Sequence, residues 1–153
     1  MRLTRATAAE CEAMAEAHAQ AFHDKAWRDD EFEDLLDGAG IYGFLAADAA
    51  TPLGVILCRM AGGEVEVLTV GVTPEARRRG VGLALMLAAL DVAREAGVAA
   101  AFLEVAIDND PAIALYEGLG FAKTGLRKSY YDRRPQGYVD ALVMRLDLNA
   151  AAA

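Results

Sequence analysis

Three arginines and two glycines lie together between a β-rich apolar segment and a long helix-forming segment. The run consists of Arg77, Arg78, Arg79, Gly80, Val81 and Gly82. The N–H groups of a helix's first turn have no partner inside the helix and lie at the positive end of its dipole, so they bind phosphate well. Glycines let a ligand approach that backbone, and arginines pair with phosphate oxygens. The run therefore predicts a site for a pyrophosphate compound, with a solvated charged turn as the alternative.

A glutamate in the middle of an apolar strand is the second candidate for chemistry. Glu104 lies within the run Ala-Phe-Leu-Glu-Val-Ala-Ile at 101–107. Glutamate is disfavoured in strands, and burying its charge without a partner is costly. Two interpretations remain open. Glu104 is either a general base in a ligand cleft or a carboxylate paired with an arginine at a sheet edge.

Other polar and aromatic residues follow Glu104 in the chain. Asn109 stands just before a short helix that begins with proline, where it can cap the helix or donate a hydrogen bond to a ligand amide. Tyr116, on that helix, is a candidate proton donor, although half-buried packing is the commoner role of a lone tyrosine. Tyr130 and Tyr131 fall in a polar loop before the last strand. They either anchor this loop or form the wall of a pocket.

The histidines and cysteines do not form a metal site in this reading. His18 and His23 are five residues apart, which does not match the i, i+4 spacing of a metal pair on a helix. Cys11 and Cys58 form no CxxC pair, and two cysteines do not make a disulfide framework. A reduced, cytosolic protein without a metal is therefore expected.

Composition limits the classes of partner. A chain of 153 residues, 55% of them hydrophobic, is long enough for one domain with its own core. The net charge of −8 argues against nucleic acid and anionic membranes as partners, since both require basic patches. We see no signal peptide and no membrane-spanning run, so a soluble protein is expected. Acidic residues crowd positions 29–37, which predicts a solvated helix face or, alternatively, an acidic rim for a cationic substrate.

The pattern of apolar residues predicts a mixed sheet. We expect strands at 2–7, 41–47, 53–60, 64–72, 99–107, 121–127 and 138–146, and helices at 8–22, 29–37, 80–96 and 111–118, the second helix capped by Asp29 or Asp30. The antiparallel first half leads into a β-α-β crossover, whose two strands must be parallel. This order indicates an α+β fold with helices on both faces and a ligand at the junction of the strands at 64–72 and 99–107. Residues 1–148 form a single domain, and 149–153 a flexible tail.

Two other classes of protein compete with this reading. Gly80 and Gly82 open a helix after a strand, and Glu104 follows about 20 residues later, as in a nicotinamide-binding unit. Against this, Leu85 occupies the third glycine position, and the unit lies mid-chain with too few residues left for a doubly wound sheet. A non-catalytic ligand sensor is the other alternative, but it would have little use for a glutamate within a strand.

These motifs together resemble the GNAT superfamily of acyl-CoA-dependent N-acetyltransferases. The run at 77–82 is similar to the superfamily's Q/R-x-x-G-x-G/A pyrophosphate loop. Nearly the whole chain resembles the bacterial ribosomal-protein-alanine N-acetyltransferases, most specifically in these residues: Leu103-Glu104-Val105, Asn109, Ala114-Leu115-Tyr116-Glu117, Leu119-Gly120-Phe121, Tyr130-Tyr131, Asp140-Ala141 and the upstream pair Trp27 and Phe32.

The resemblance implies a seven-stranded mixed sheet, acetyl-CoA as cosubstrate and no metal. It implies that Glu104 is the general base and Tyr116 the general acid. Asn109 would hold the pantetheine arm, the backbone of Val70 and Val72 would pair with that arm, and an N–H there would stabilise the thioester oxygen. The residues that would line the acceptor slot are Trp27, Tyr130 and Tyr131.

The implied acceptor is a protein N-terminus, most specifically that of a ribosomal protein beginning with alanine. Val139 stands where this subfamily usually has an acidic residue, and Tyr138 where it commonly has a polar one; both lie near the substrate side. A lysine, a polyamine or another small amine is the alternative acceptor within the fold. A monomer or a weak dimer is expected.

Overall fold

A computed structural model describes residues 1–22, 26–132 and 137–149. In chain order the elements are β1 (Arg2–Arg5), α1 (Cys11–Ala21), α2 (Asp29–Leu36), β2 (Ile41–Asp48), β3 (Thr51–Ala61), β4 (Glu64–Val72), α3 (Val81–Glu95), β5 (Ala100–Ala106), α4 (Asp110–Gly118), β6 (Ala122–Asp132) and β7 (Tyr138–Asp147). Short 3-10 turns at Ala8–Glu10 and Pro74–Ala76 precede α1 and α3. The order of strands and helices expected from the sequence is confirmed.

The seven strands form one sheet in the order β1-β2-β3-β4-β5-β7-β6. Every neighbouring pair is antiparallel except β4 and β5, which α3 connects as a crossover. The mixed sheet and the parallel pair are thus as expected. The parallel pairing is short, since it joins only residues 64–66 to residues 100–102. Beyond these residues the two strands separate.

Two apolar clusters pack on opposite faces of the sheet. On one face, α3 and α4 contribute buried residues such as Leu85, Met86 and Ile113. On the other face, α1 and α2 contribute Met14 and Phe32. Successive side chains of β3 point to opposite faces of the sheet. Ile56 and Cys58 therefore belong to the first cluster, and Val55 and Leu57 to the second. Each large side chain buried in this way stabilises the fold by roughly 1.5–3 kcal/mol.

The boundary between β1 and α1 and the residue that caps α2 differ from the expectation. The first strand ends at Arg5 because Thr7 caps the following turn, with its N–H donating to Glu10 Oε1 at 2.7 Å. The prediction that Asp29 or Asp30 caps α2 is wrong. Arg28 is the cap, and its N–H donates to Glu31 Oε1 at 3.3 Å. Both aspartates lie inside the first turn, where their charges favour the positive end of the helix dipole.

Strand β6 is longer than expected, so Tyr130 and Tyr131 lie in a strand and not in a loop. It extends to Asp132 because β7 pairs with it again beyond an irregularity, with Tyr131 opposite Val139. The sequence did not indicate this, since the irregularity interrupts the alternating pattern. His23 and the tail residues 150–153 lie outside the described residues. Among the described helices, none combines the length and apolar character needed to cross a bilayer.

Candidate active site

The separation of β4 and β5 opens a cleft of about 380 Å³ in the middle of the sheet. Residues 67–70 of β4 form one wall, and residues 103–106 of β5 form the other. Side chains from both faces of the sheet reach this opening, including His18 from α1 and Tyr116 from α4. The cleft lies at the strand junction where the sequence placed a ligand.

The edge of β4 that faces the cleft carries backbone groups that β5 does not pair. Thr73 N–H donates to Leu53 O of β3 at 2.9 Å. Because N–H groups alternate in direction along a strand, those of Val70 and Val72 point away from β3, to the side on which β5 has separated from β4. Their side chains pack against the α3 cluster. An extended ligand could therefore pair with β4 here in the place of a missing strand.

The corner before α3 has the geometry of an anion site. Gly80 is the N-cap with φ +77°, and no side chain caps the helix, so the first-turn N–H groups are free to bind a ligand. A Cβ on Gly82 would lie 3.4 Å from Leu115 Cδ2 and 3.7 Å from Val72 Cγ2. The position thus already abuts α4 and β4, so a larger side chain would press against Leu115 or Val72.

The three arginines before this corner do not share one role. Arg79 Nη2 lies 2.7 Å from Asp48 Oδ2 and lowers the pKa of that carboxyl. Among the described residues, Arg77 and Arg78 have no ion-pair partner in the protein. The guanidinium groups of Arg77 and Arg78 are therefore available for phosphate, whereas Arg79 is already held by the end of β2.

Glu104 lines the cleft and is also paired with an arginine, so it has features of both interpretations of the sequence. Arg127 Nη1, from β6, lies 2.7 Å from Glu104 Oε1. This hydrogen bond raises the pKa of Arg127. The guanidinium also lies 4.1 Å above the ring of Tyr130. The carboxylate remains about a quarter exposed, at 24%.

Tyr116 and Asn109 approach the cleft from α4. Tyr116 is buried, and burial, with a smaller contribution from Tyr131, raises its pKa to about 12. Its phenol is therefore protonated at neutral pH. Asn109 lines the cleft and at the same time caps α4, because its Oδ1 accepts from Ala112 N–H at 3.3 Å. Its side-chain N–H₂ group is left for a ligand.

His18 lines the cleft, whereas the only function considered for it from the sequence was that of a metal ligand. Its Nδ1 accepts from Trp27 N–H at 3.1 Å, so the proton is on Nε2, which lies 3.0 Å from Thr69 Oγ1. Burial lowers the pKa of His18 to about 4. The ring of Trp27 stacks on it with centroids 5.0 Å apart. The available signal was a polar residue on the buried face of α1.

The aromatic residues expected at the acceptor side divide into two groups. Trp27 and Tyr131 line the cleft. Tyr130 is 46% exposed and stacks on Arg127 beside the opening. Asp132 and Phe22 also line the cleft, and neither was predicted from the sequence as a site residue. Within the described part of the chain, no three histidine, cysteine or acidic residues cluster in a way that could hold a metal ion.

A mixed sheet that opens into a cleft beside an uncapped helix start fits the resemblance to acyl-CoA-dependent N-acetyltransferases, and comparison with known proteins agrees. The model of the acetyltransferase (GNAT) family matches residues 8–121. The chain therefore belongs to the GNAT family of acetyltransferases. The nicotinamide alternative is wrong, because the chain belongs to the GNAT family and, among the strands that the structure describes, only β4 and β5 pair in parallel, so their sheet is not doubly wound.

Among individual relatives, the N-alpha-acetyltransferase RimI of Mycobacterium tuberculosis is 41% identical over 150 residues, which cover 95% of this chain and 89% of the relative. The [ribosomal protein bS18]-alanine N-acetyltransferase of Salmonella typhimurium is 38% identical over 86 residues, 56% of this chain and 57% of the relative. The crystal structure of the ribosomal-protein-S18-alanine N-acetyltransferase from Escherichia coli superposes with a TM-score of 0.87 at 27% identity, covering 96% of this chain and 93% of that one.

Proposed function

We propose that this acetyltransferase transfers acetyl from acetyl-CoA to the N-terminal α-amine of a protein, and that its acceptor is a ribosomal protein beginning with alanine. The observation that carries the proposal is the cleft, which Glu104 and Tyr116 both line, next to the unpaired edge of β4. The names of the relatives in Mycobacterium and Salmonella support the choice of acceptor. A ribosomal acceptor would place the reaction in the cytoplasm, which suits the two buried, unpaired cysteines.

The donor and the acceptor would approach from opposite faces of the sheet. The pyrophosphate would bind the free amides at the start of α3, with Arg77 and Arg78 as its cations. The pantetheine arm would then extend along Val70 and Val72, with Asn109 as a further donor, and bring the thioester into the cleft. An N–H of this edge would stabilise the oxygen that becomes negative during attack. The acceptor would enter beside Trp27 and Tyr131.

The acid–base properties of amines favour a terminal amine over a lysine. An α-amine has a pKa of about 7.7–8.0, and a lysine about 10.4. Near pH 7.5 roughly a third of α-amines are neutral, against on the order of 0.1% of lysines. A modest base is therefore sufficient for an α-amine, and the enzyme contributes chiefly placement and oxyanion stabilisation.

Glu104 would accept the proton that the amine loses, directly or through a water molecule. Because Arg127 is bound to the same carboxylate at 2.7 Å, the arriving ammonium group and the guanidinium would share or exchange this anion. The nitrogen attacks the thioester carbon, and the carbon–sulfur bond breaks as the coenzyme leaves. The acetyl group then remains on nitrogen as an amide.

Tyr116 would stabilise the departing sulfur. With its pKa at about 12, its phenol donates a hydrogen bond readily near pH 7. Full transfer of its proton to a thiolate is uphill, because the pKa of an ordinary thiol is about 8.5. The phenol would therefore act as a hydrogen-bond donor while charge develops, and the proton released by the amine would balance the thiolate.

A peptide panel tests this function. The purified protein is incubated with acetyl-CoA and peptides that begin with Ala, Ser or Met, together with a peptide that has a blocked terminus and an internal lysine. Mass spectrometry locates the added acetyl group. We expect acetylation at the α-amine, fastest for the Ala peptide. Modification of the internal lysine alone would contradict the proposal and favour the lysine or small-amine alternative.

A further inference from the structure

The edge strand β6 contains a bulge next to the acceptor side of the cleft. Arg127 pairs with Ala141, and Tyr131 pairs with Val139, so the three residues 128–130 face the single residue Asp140. Ser129, in the middle of the bulge, has φ +52°. A residue other than glycine adopts this left-handed conformation only when its surroundings hold it there.

Asp140 supplies that hold. Ser129 N–H donates to Asp140 Oδ1 at 2.7 Å, a short distance typical of a hydrogen bond to a charged acceptor. The backbone of Asp140 makes a second link, since Ile107 N–H, just after β5, donates to Asp140 O at 3.0 Å. Asp140 therefore joins the bulge of β6 to the end of the strand that carries Glu104.

The bulge places two aromatic rings beside the cleft. Tyr130, the last residue of the bulge, lies 4.1 Å from the guanidinium of Arg127, which holds Glu104. The ring of Tyr131 meets that of Tyr130 edge-on with centroids 5.1 Å apart, and Tyr131 lines the cleft. A regular strand would point alternate residues to opposite faces. The bulge instead brings the ring of Tyr130 against both Arg127 and Tyr131, although regular alternation would place it on the opposite face from both. The two extra residues leave Tyr131 on the same face as Arg127.

We propose that Asp140 is a positioning residue for the acceptor. Its carboxylate fixes Ser129 in the left-handed conformation. The bulge fixed in this way places Tyr130 and Tyr131 beside the route by which the acceptor reaches Glu104. Asp140 itself touches no reacting atom. The inference rests on the proposed function, because it assigns the acceptor to this side of the cleft.

The first test is the kinetics of Asp140→Ala with an Ala-starting peptide. The hydrogen bond to a charged group is lost, and we expect the peptide KM to rise about tenfold. The kcat should change less than about threefold, because Glu104 and Tyr116 lie on β5 and α4 and the backbone bond to Ile107 survives. The dissociation constant of acetyl-CoA, measured by calorimetry, should stay unchanged. A merely structural role would not raise KM alone.

Changes at Ser129 provide matched controls. Ser129→Gly should leave the enzyme near wild type, since glycine adopts positive φ without strain. For the same reason the double variant Asp140→Ala with Ser129→Gly should recover most of the acceptor KM. Asp140→Asn keeps an acceptor oxygen and should behave like wild type within a few-fold. Ser129→Val, which disfavours positive φ, should raise KM as Asp140→Ala does.

Hydrogen exchange gives a readout that is independent of turnover. The amide of Ser129 should be protected in the wild type and exchange fast in Asp140→Ala. A wild type that acetylates no peptide would defeat the proposed function, while the exchange experiment would still test the link between Asp140 and the bulge. An unchanged peptide KM in both Asp140→Ala and Ser129→Val would overturn the inference. So would an equal impairment of peptide KM, kcat and coenzyme affinity in Asp140→Ala that the added Ser129→Gly does not reverse.

Discussion

At the scale of single residues, the chemistry depends on which groups surround each titratable side chain. Glu104 is held by Arg127 at 2.7 Å and still lines the cleft. His18 is buried among aromatic rings and bonded at both nitrogens, so it is a neutral link between Trp27 and Thr69. Neither side chain is isolated. Hydrogen bonds to neighbouring residues fix the orientation of each.

Replacing Glu104 with glutamine should slow acetyl transfer. The amide keeps the shape of the carboxylate but cannot accept the amine's proton, and removing a general base typically costs about 10²-fold or more. Coenzyme affinity should stay unchanged, because this side chain makes no contact with the pyrophosphate corner. The kcat/KM at saturating acetyl-CoA is the measurement. Glu66→Gln is the control, since Glu66 is also paired with an arginine, Arg59, at 3.0 Å but does not line the cleft. Equal turnover of wild type and Glu104→Gln would disprove the assigned role.

The stability of the folded protein should decrease as the pH is lowered, because of His18. Its pKa is about 4 in the folded protein and about 6.5 when unfolded. Between these values the unfolded chain binds a proton that the folded protein does not, so unfolding is favoured as pH drops from about 6.5 to about 4. Above pH 6.5 the residue is neutral in both states and contributes no pH dependence. Thermal melting of wild type and His18→Gln across this range should give curves that differ in slope. Parallel curves would show that the histidine is not held neutral.

At the scale of elements, the proposed donor site combines the start of α3 with the free edge of β4. The helix begins at Gly80 without a side-chain cap, and the strand has no neighbour beyond residue 66 on the side of β5. These are usually defects in a fold, since unpaired backbone groups are costly when buried. Here Val70 lines the cleft and Gly82 lies beside Val72, so under the proposed function a ligand with phosphates and amides would satisfy these groups. The two elements meet at Gly82, close to Val72.

Replacing Gly82 with valine should prevent coenzyme binding. A Cβ fits there at 3.4 Å from Leu115, so the helix should still form. The added methyl groups are expected to crowd the space beside the first-turn amides, which are the proposed phosphate ligands. Loss of several charge-assisted hydrogen bonds predicts at least about a 100-fold weaker affinity. Calorimetric titration with acetyl-CoA measures it. Gly118→Val is the control, because a Cβ at Gly118 meets no atom within 4 Å. Tight binding to Gly82→Val would exclude this corner as the phosphate site.

At the scale of the whole molecule, the proposed function would let the two substrates reach the opening in the sheet from different faces. The cluster under α3 and α4 would support the proposed donor side, and the cluster under α1 and α2 the proposed acceptor side. Both clusters take residues from the same strands, so the two sides are fixed relative to each other. The net charge of −8 favours a cationic acceptor such as a terminal ammonium group through long-range attraction.

Much of the fold could be predicted because its signals are local. The segment at 64–72, the glycines at 80 and 82 and the helix that follows were each recognisable within a short window. Helix caps were less certain, since Arg28 and not an aspartate begins α2. The end of β6 was missed because a bulge hides the alternation that marks a strand. The roles given to Tyr116, Asn109 and the other site residues stay predictions.

The sequence by itself determined the order of elements and the membership of the GNAT family, because both depend on residues that are neighbours in the chain. Phosphate binding at residues 77–82 stays a prediction. Only the tertiary structure decided which side chains meet. Arg127 reaches Glu104 across 23 positions, and Arg79 turns to Asp48 across 31. The bond between Ser129 and Asp140 depends on the register of two strands. Such pairs follow from packing and register, which local propensities and spacing do not specify.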